Sequence, residues 1–355
     1  MPDTPIAVVG ATGFTGKLTV AELRSRGIRV RAVGRNATKL DQLASAHDGV
    51  DPCAVAWTAA AIASALQGCA AIISCAGPFA EIGHPVAEAA VRAGVPYTDS
   101  TGEQVFIRWI FDELDAPARA AGIAMVPASG FDYVPGDLGA AIVAEGMGPL
   151  ERIDIVYGTQ SAATSVGTRV SSVGVMATPG VAMRDGALRR MRIGESKRSV
   201  DLGFARMTGG AIPGGEPLQV PRHVDVRTVY THLALPGRTG PASPGAGVLS
   251  AALRIPGAAN LMKSLASRGI EGPGESSRAK RVACHVQAVA RDGRRRAVLV
   301  EGSDAYGFTA RSLAEMAVRL GDGADATGAC APAQAVNPRE FLSATGYTVR
   351  EVEPE

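Results

Sequence analysis

TPIAVVGATGFTG (residues 4–16) and IRVRAVGRN (28–36) are the stretches that decide the fold. In the first, a short apolar run, IAVVG, enters a turn with glycine at positions 10, 13 and 16. FTGKLTVAELRSRG (14–27) follows with helical spacing through Leu18, Ala21 and Leu23, and Gly27 stops it. The second stretch is the next strand. ATKLDQLASA (37–46) then predicts a helix, CAAIISCAG (69–77) a buried strand, and HPVAEAAVRAG (84–94) a helix with proline near its start and glycine at its end. VPYTDS (95–100), EQVFIRWIFDELDAPARAAG (103–122) and IAMVPAS (123–129) continue as strand, long helix and strand. This alternation predicts an α/β fold with a doubly wound parallel sheet.

At 355 residues the chain exceeds one ordinary domain core, so a second domain is expected. Apolar residues at 46% and charged residues at 20% exclude a disordered chain. A net charge of +2 gives no basis for a nucleic-acid partner, and mild basicity has to be read locally. Cys53, Cys69, Cys75, Cys284 and Cys330 are odd in number and none has CxxC spacing. Neither a disulfide framework nor a metal site is expected, which suits a cytoplasmic protein. MPDTPIAVVG lacks the basic head of a secretory signal. Residues 54–77 are apolar but hold Thr58, Ser64, Gln67 and Gly68, and divide into strand, helix and strand rather than one membrane span.

Beyond Gly130 the rhythm changes. ERIDIVYGTQ (151–160) and HVDVRTVYTHLAL (223–235) read as strands, residues 165–186 as a helix with its exit loop, and residues 309–323 as a helix. VACHVQAVARDGRRRAVLVEGS (282–303) reads as two strands around a tight Asp292-Gly293 turn. A second α+β domain on a largely antiparallel or mixed sheet is therefore expected. The expected limits are 1–130 and 131–324, with 325–355 packing back on the first domain. The Gly-, Pro- and Ala-rich residues 244–274 read as a surface connection.

Gly10, Gly13 and Gly16 between a strand and a helix form a phosphate-binding turn. Glycine permits the tight turn and close backbone approach, and the helix start presents free N–H groups to an anion. Thr12 and Thr15 are placed to donate hydroxyls there, and Phe14 opens the helix. A chain selecting NAD carries an acid at the end of the second strand. Here Gly34 is followed by Arg35 and Asn36, with Lys39 one turn on. A guanidinium clamps a 2′-phosphate and stacks on adenine, so NADP(H) is the expected cofactor.

No tyrosine is followed four residues on by lysine, so the catalytic pair of short-chain dehydrogenases is missing. SCAGPFAEIGHPVAEAAVRAGVPYTDSTGEQVFI (74–107) and ASGFDYVPGDLGA (128–140), with GATGFTG and GRN, resemble the saccharopine dehydrogenase-like oxidoreductases. That family includes trans-acting enoyl reductases of actinobacterial lipid and polyketide pathways. The resemblance continues through GPGESSR (272–278), Tyr306 and NPREFL (337–342). It implies a Rossmann-type NADP-binding domain and a substrate domain. It also implies that Ser74, Cys75, Ala76, Gly77, Pro78 and Phe79 border the nicotinamide and that residues 97–103 face it.

Ser100 to Glu103 fits a capping box for the helix that follows. Asp99, His84, Asp132 and Tyr133 are the catalytic candidates, with Arg278 and Tyr306 behind them. Reduction of an enoyl thioester, free or carrier-bound, needs a stabilised enolate and a proton for the α-carbon. Backbone amides near Gly77 or Gly130 suit the first task, and Tyr133, His84 or water the second. In imine or secondary-amine chemistry Asp99 would keep the nitrogen protonated. A non-catalytic NADP(H) sensor is the reading from another class. A homodimer is expected from the frequency of two-fold assemblies.

Overall fold

A computed structural model of the chain describes residues 4–237, 240–268, 272–323 and 326–355. Contacts divide it into two units. The first comprises residues 1–101, 105–132 and 306–336; the second comprises 102–104, 133–305 and 337–355. The stretch expected to return to the first domain as one segment is divided at Val336, and its expected start at 324/325 lies outside the described residues.

The first unit is built on strands β1 (Ile6–Val9), β2 (Val30–Gly34), β3 (Val50–Ala54), β4 (Ala71–Ser74), β5 (Tyr97–Asp99) and β6 (Ala124–Val126). With the short strand Gly328–Ala329 they form a seven-stranded sheet, β6 lying between that strand and β5, followed by β4, β1, β2 and β3. Every pairing is parallel. The order reverses between β1 and β4, a crevice where such sheets bind ligands. Ile6, Val8, Val30, Ala32, Ala71 and Ile73 line one face and pack on Val20 and Leu23 of helix α1 (Phe14–Ser25), on Leu40 and Leu43, and on Leu313, Ala314 and Ala317. The alternate residues Ala7, Val9, Val33 and Ile72 are fully buried too, as a sheet covered on both faces requires. Gly328–Ala329 escaped the sequence reading because two residues carry no periodicity. Asp115 holds this edge by accepting from the Ala329 amide.

The long helix expected over 103–122 is present as Gln104–Trp109, a π-turn Ile110–Leu114, and Asp115–Ala120. It starts at Gln104, so Ser100 to Glu103 precede it and do not form the capping box. The Glu103 carboxylate instead accepts from the Ser171 hydroxyl at 3.2 Å.

The second unit carries a nine-stranded mixed sheet. Its path is Lys197–Asp201, Arg206–Ile212, Val226–Ala234, Leu150–Thr159, Arg281–Ala290, Arg295–Ser303 and Thr348–Val352. Gly180–Arg184 and Ala187–Met191 branch from Val226–Ala234. Among its described pairings only Val226–Ala234 and Leu150–Thr159 run parallel. Gly293, at φ +90°, turns the hairpin expected at Asp292-Gly293. The described residues of the expected connection over 244–274 include helices Ala246–Leu253 and Ala258–Ala266. Glycine and proline there punctuate two short helices instead of preventing them.

The helix Val134–Ala144 lies on this sheet with nine buried residues. A Cβ on Gly139 would stand 2.8 Å from Val286, so glycine sets how closely helix and strand approach. Beside it is a buried polar knot. Tyr157 donates to Glu216 at 2.8 Å, Thr231 donates to the other carboxyl oxygen at 2.6 Å, and the Gly136 amide donates to the Tyr157 hydroxyl at 2.9 Å. Burial pushes the Glu216 carboxyl from 4.5 up to about 8. The folded chain therefore holds this proton more tightly than the unfolded chain does. The stabilisation is complete below pH 4.5 and is lost as pH rises through about 8. Melting temperature, measured across that window, is expected to fall with pH in the wild type and to flatten in Glu216→Gln. An unchanged slope in the variant would reject Glu216 as its source.

Candidate active site

The glycine turn is held by the backbone of β1, β2 and β4. Gly10 donates to the Val33 carbonyl at 3.0 Å and Cys75 donates to the Val9 carbonyl at 2.8 Å. Gly10 has φ +79°, and a Cβ there would stand 2.9 Å from the Ala76 nitrogen. On Gly16 a Cβ would stand 2.2 Å from the Gly10 carbonyl oxygen. These two glycines are demanded by the protein's own packing. Gly13 is not. Its φ of −78° and ψ of 170° suit any residue, and the nearest atom to a Cβ there would be the Gly10 oxygen at 3.4 Å. Gly13 is exposed and precedes α1, where no side chain caps the helix. The space a side chain would fill lies over the positive end of α1. This cradle fits a pyrophosphate.

At the next strand end, Asn36 accepts from the Lys39 amide at 3.0 Å and caps the helix Ala37–Ala46. Arg35 and Lys39 are exposed. The Arg35 guanidinium lies over the Trp57 ring, 5.3 Å from its centre, and the Trp57 indole N–H is fixed on the Ile82 carbonyl at 2.9 Å. Trp57, which follows β3, was missed at the sequence level. Its signal was its position: one of two tryptophans, just beyond the strand that neighbours β2.

Ser74 ends β4, and its carbonyl accepts from the Ser100 amide at 3.1 Å. Gly77 is exposed, whereas Ala76 and Phe79 are buried. Desolvation pushes the half-buried Cys75 thiol up to about 12, and the Thr19 hydroxyl lies 3.8 Å from its sulfur. Cys75 is thus a protonated thiol and not a nucleophile.

The four catalytic candidates receive different surroundings. Asp99 is fully buried and accepts from the Tyr97 hydroxyl (2.8 Å), the Thr101 amide (2.9 Å) and the Ala128 amide (2.8 Å). It ties β5 to the segment leaving β6, where Ala128 stands at φ +61°. This carboxylate holds backbone and has its donors in place. His84 packs edge-on against Phe106 and Trp109, with ring centres 5.4 Å and 4.3 Å away. Tyr133 is buried, and its hydroxyl donates to the Gly102 carbonyl at 2.7 Å. Asp132 keeps contact with solvent, while desolvation pushes its carboxyl up to about 6. Tyr97 and Asp99 thus share a buried hydrogen bond at the end of β5. Of the remaining candidates, Tyr306 meets Phe14 edge-on at 5.1 Å, and Arg278 pairs with Asp304 at 3.8 Å. Thr309 accepts from the Phe131 amide at 3.0 Å and was not foreseen. Among the described residues, no cluster of His, Cys, Asp and Glu is arranged to hold a metal ion.

Residues 10–98 match a family model described as NAD(P)H-binding, so the first unit carries a nicotinamide-nucleotide domain. A trans-acting enoyl reductase of Mycobacterium tuberculosis is 32% identical over 197 residues, which cover 50% of this chain and 44% of that one. A trans-acting enoyl reductase of Mycobacterium ulcerans is 31% identical over 195 residues, with the same two shares. The match thus spans less than half the length of these relatives. Saccharopine dehydrogenase (L-Glu forming) from Saccharomyces cerevisiae superposes with a TM-score of 0.63 at 12% identity, covering 99% of this chain and 100% of that one. The fold is that of saccharopine dehydrogenase, and the resemblance seen in the motifs is borne out.

The three glycines predict different failures. Gly13→Ala is expected to leave the melting temperature near wild type and weaken dinucleotide binding by about tenfold or more. Gly16→Ala is expected to cost about 1–3 kcal/mol of stability by overpacking. Calorimetric binding and thermal melting on both variants check this. Unimpaired binding by Gly13→Ala would remove the ligand from that space.

Proposed function

We propose that the protein is an NADPH-dependent oxidoreductase that reduces an enoyl thioester. The observation that carries the reading is the open position at Gly13, over an uncapped helix start within a nicotinamide-nucleotide domain. The half-chain similarity to enoyl reductases supports a carbon–carbon double bond as the target. The preference for NADPH rests on Arg35. A guanidinium held over the Trp57 ring presents N–H donors to a 2′-phosphate, where an acid would repel one. Lys39 adds a second exposed cation one turn on.

Bound NADPH supplies the hydride, which ends on the β-carbon of the alkene. The turn at Gly10–Gly16 and the Arg35–Trp57 pair bind and orient the dinucleotide. The loop Ser74–Phe79 borders the nicotinamide in this reading. Asp132 is the candidate that best suits the proton step. Desolvation raises its carboxyl above the ordinary carboxylate range, and its solvent contact lets it regain a proton from water. Tyr133 and Asp99 are occupied with backbone, and His84 stacks in an aromatic group. Asp99 then acts as a positioning residue. The substrate in this reading is an acyl thioester, free or carrier-bound, and the enzyme is a cytoplasmic homodimer.

NADPH consumption by purified protein, offered a short enoyl thioester or a cyclic imine, tests the reading. Turnover of the thioester is expected, with NADPH preferred to NADH. Turnover of the imine alone would reassign the reaction to carbon–nitrogen chemistry. Arg35→Glu should weaken NADPH binding by about a hundredfold and NADH binding far less. Equal losses would remove the 2′-phosphate role. For Asp132→Asn, kcat should fall while cofactor affinity holds, and the pH–rate limb near 6 should vanish. A retained limb would place the proton elsewhere.

A further inference from the structure

We infer that the helix pair Ala246–Leu253 and Ala258–Ala266 is a docking surface for an anionic lipid bilayer. The inference goes beyond the redox reading and does not rest on it. Among the described residues eight large hydrophobic side chains are exposed, and six lie on this stretch. They are Val248, Leu249, Ile255, Leu261, Met262 and Leu265, with Val248 at 74%, Leu261 at 64% and Ile255 at 62%. Scattered exposed aliphatics need no explanation, but such a concentration does.

One side of the pair is fastened within its own unit. Ser250 donates to the Met176 carbonyl at 2.7 Å, and Arg169 donates to the carbonyls of Ala266 at 3.0 Å and Arg268 at 3.3 Å. Both anchors belong to or adjoin the helix Val166–Ala177. Ser250 and Leu253 are the buried residues of the first helix, and the second helix has none. The apolar residues therefore project away from the anchored side. Leu261 and Leu265, four apart, share one helix face, and Ile255 lies in the turn between the two helices.

Charge identifies the occupant. The sequence has no Asp or Glu between residues 240 and 268, and Arg254 and Arg268 are exposed there. Large aliphatics accompanied only by basic residues complement an anionic headgroup layer. A second copy of the chain would bring a basic face against a basic face. Helices of eight and nine residues are about 12 and 14 Å long, well short of the ~30 Å hydrocarbon core. No helix among the described residues is long and apolar enough to cross a membrane. The pair lies on the bilayer and does not span it.

The test is sedimentation of the full chain with phosphatidylcholine vesicles and with vesicles in which a third of the lipid is phosphatidylglycerol. Binding is expected to the anionic vesicles, weakened by salt. It should fall about tenfold in Leu261→Ser/Leu265→Ser and in Arg254→Glu/Arg268→Glu, with melting temperature and NADPH binding unchanged in both. An Ile255→Trp variant should shift its emission to the blue on anionic vesicles only. The inference is overturned if neither vesicle binds, if both double variants bind like wild type, or if the tryptophan emission does not move. It is equally overturned if sedimentation equilibrium shows self-association that the leucine substitutions abolish.

Discussion

Helix α1 meets the end of β1 with no room for a single carbon atom. A Cβ on Gly16 would stand 2.2 Å from the Gly10 carbonyl oxygen, and one on Gly10 would press on the backbone leaving β4. Much of the candidate site depends on this approach. It brings the start of α1 to the reversal of strand order, and it aims the uncapped amides over Gly13. It also presses the loop after β4 against the turn. One steric constraint thus fixes the phosphate cradle and the backbone that borders the expected nicotinamide position.

The second constraint is electrostatic. A buried carboxylate is costly unless its lone pairs are met, and Asp99 meets them with one hydroxyl and two amides. Those bonds hold the ends of β5 and β6 in register and keep Ala128 in a left-handed conformation that alanine resists. Polar residues at a strand end can therefore serve the scaffold before the chemistry. The same holds for Tyr133 and for the Glu216 knot, whose polar atoms are turned inward onto protein. Asp132 differs in keeping solvent contact, so its raised carboxyl can exchange a proton with water.

Local pattern carried most of the first sheet. Short apolar runs, helical spacing and glycine stops are properties of neighbours in sequence, and β1, β2, α1 and the helices Ala37–Ala46 and His84–Ala93 lie where the spacing put them. Elements without a period of their own were illegible. Gly328–Ala329 joins the sheet through partners more than two hundred residues away in sequence, held by Asp115. Thr348–Val352 and the strands at Gly180–Met191 depend likewise on an edge supplied by another strand. The capping-box pattern at Ser100 misled because Glu103 found a better donor in Ser171, distant in sequence.

By itself the sequence determined the glycine turn, the basic residue beyond β2 and the absence of a Tyr-x-x-x-Lys pair, and hence a nucleotide domain of a recognisable kind. These are matters of residue type at fixed spacing, which backbone geometry converts directly into shape. Only the tertiary structure decided which polar groups are already occupied. It braced Arg35 on Trp57 and tied Asp99 to Ala128. It left six large apolar side chains exposed on one helix pair and its connecting turn. Burial and hydrogen bonding belong to groups brought together from distant parts of the chain, and no local spacing encodes them.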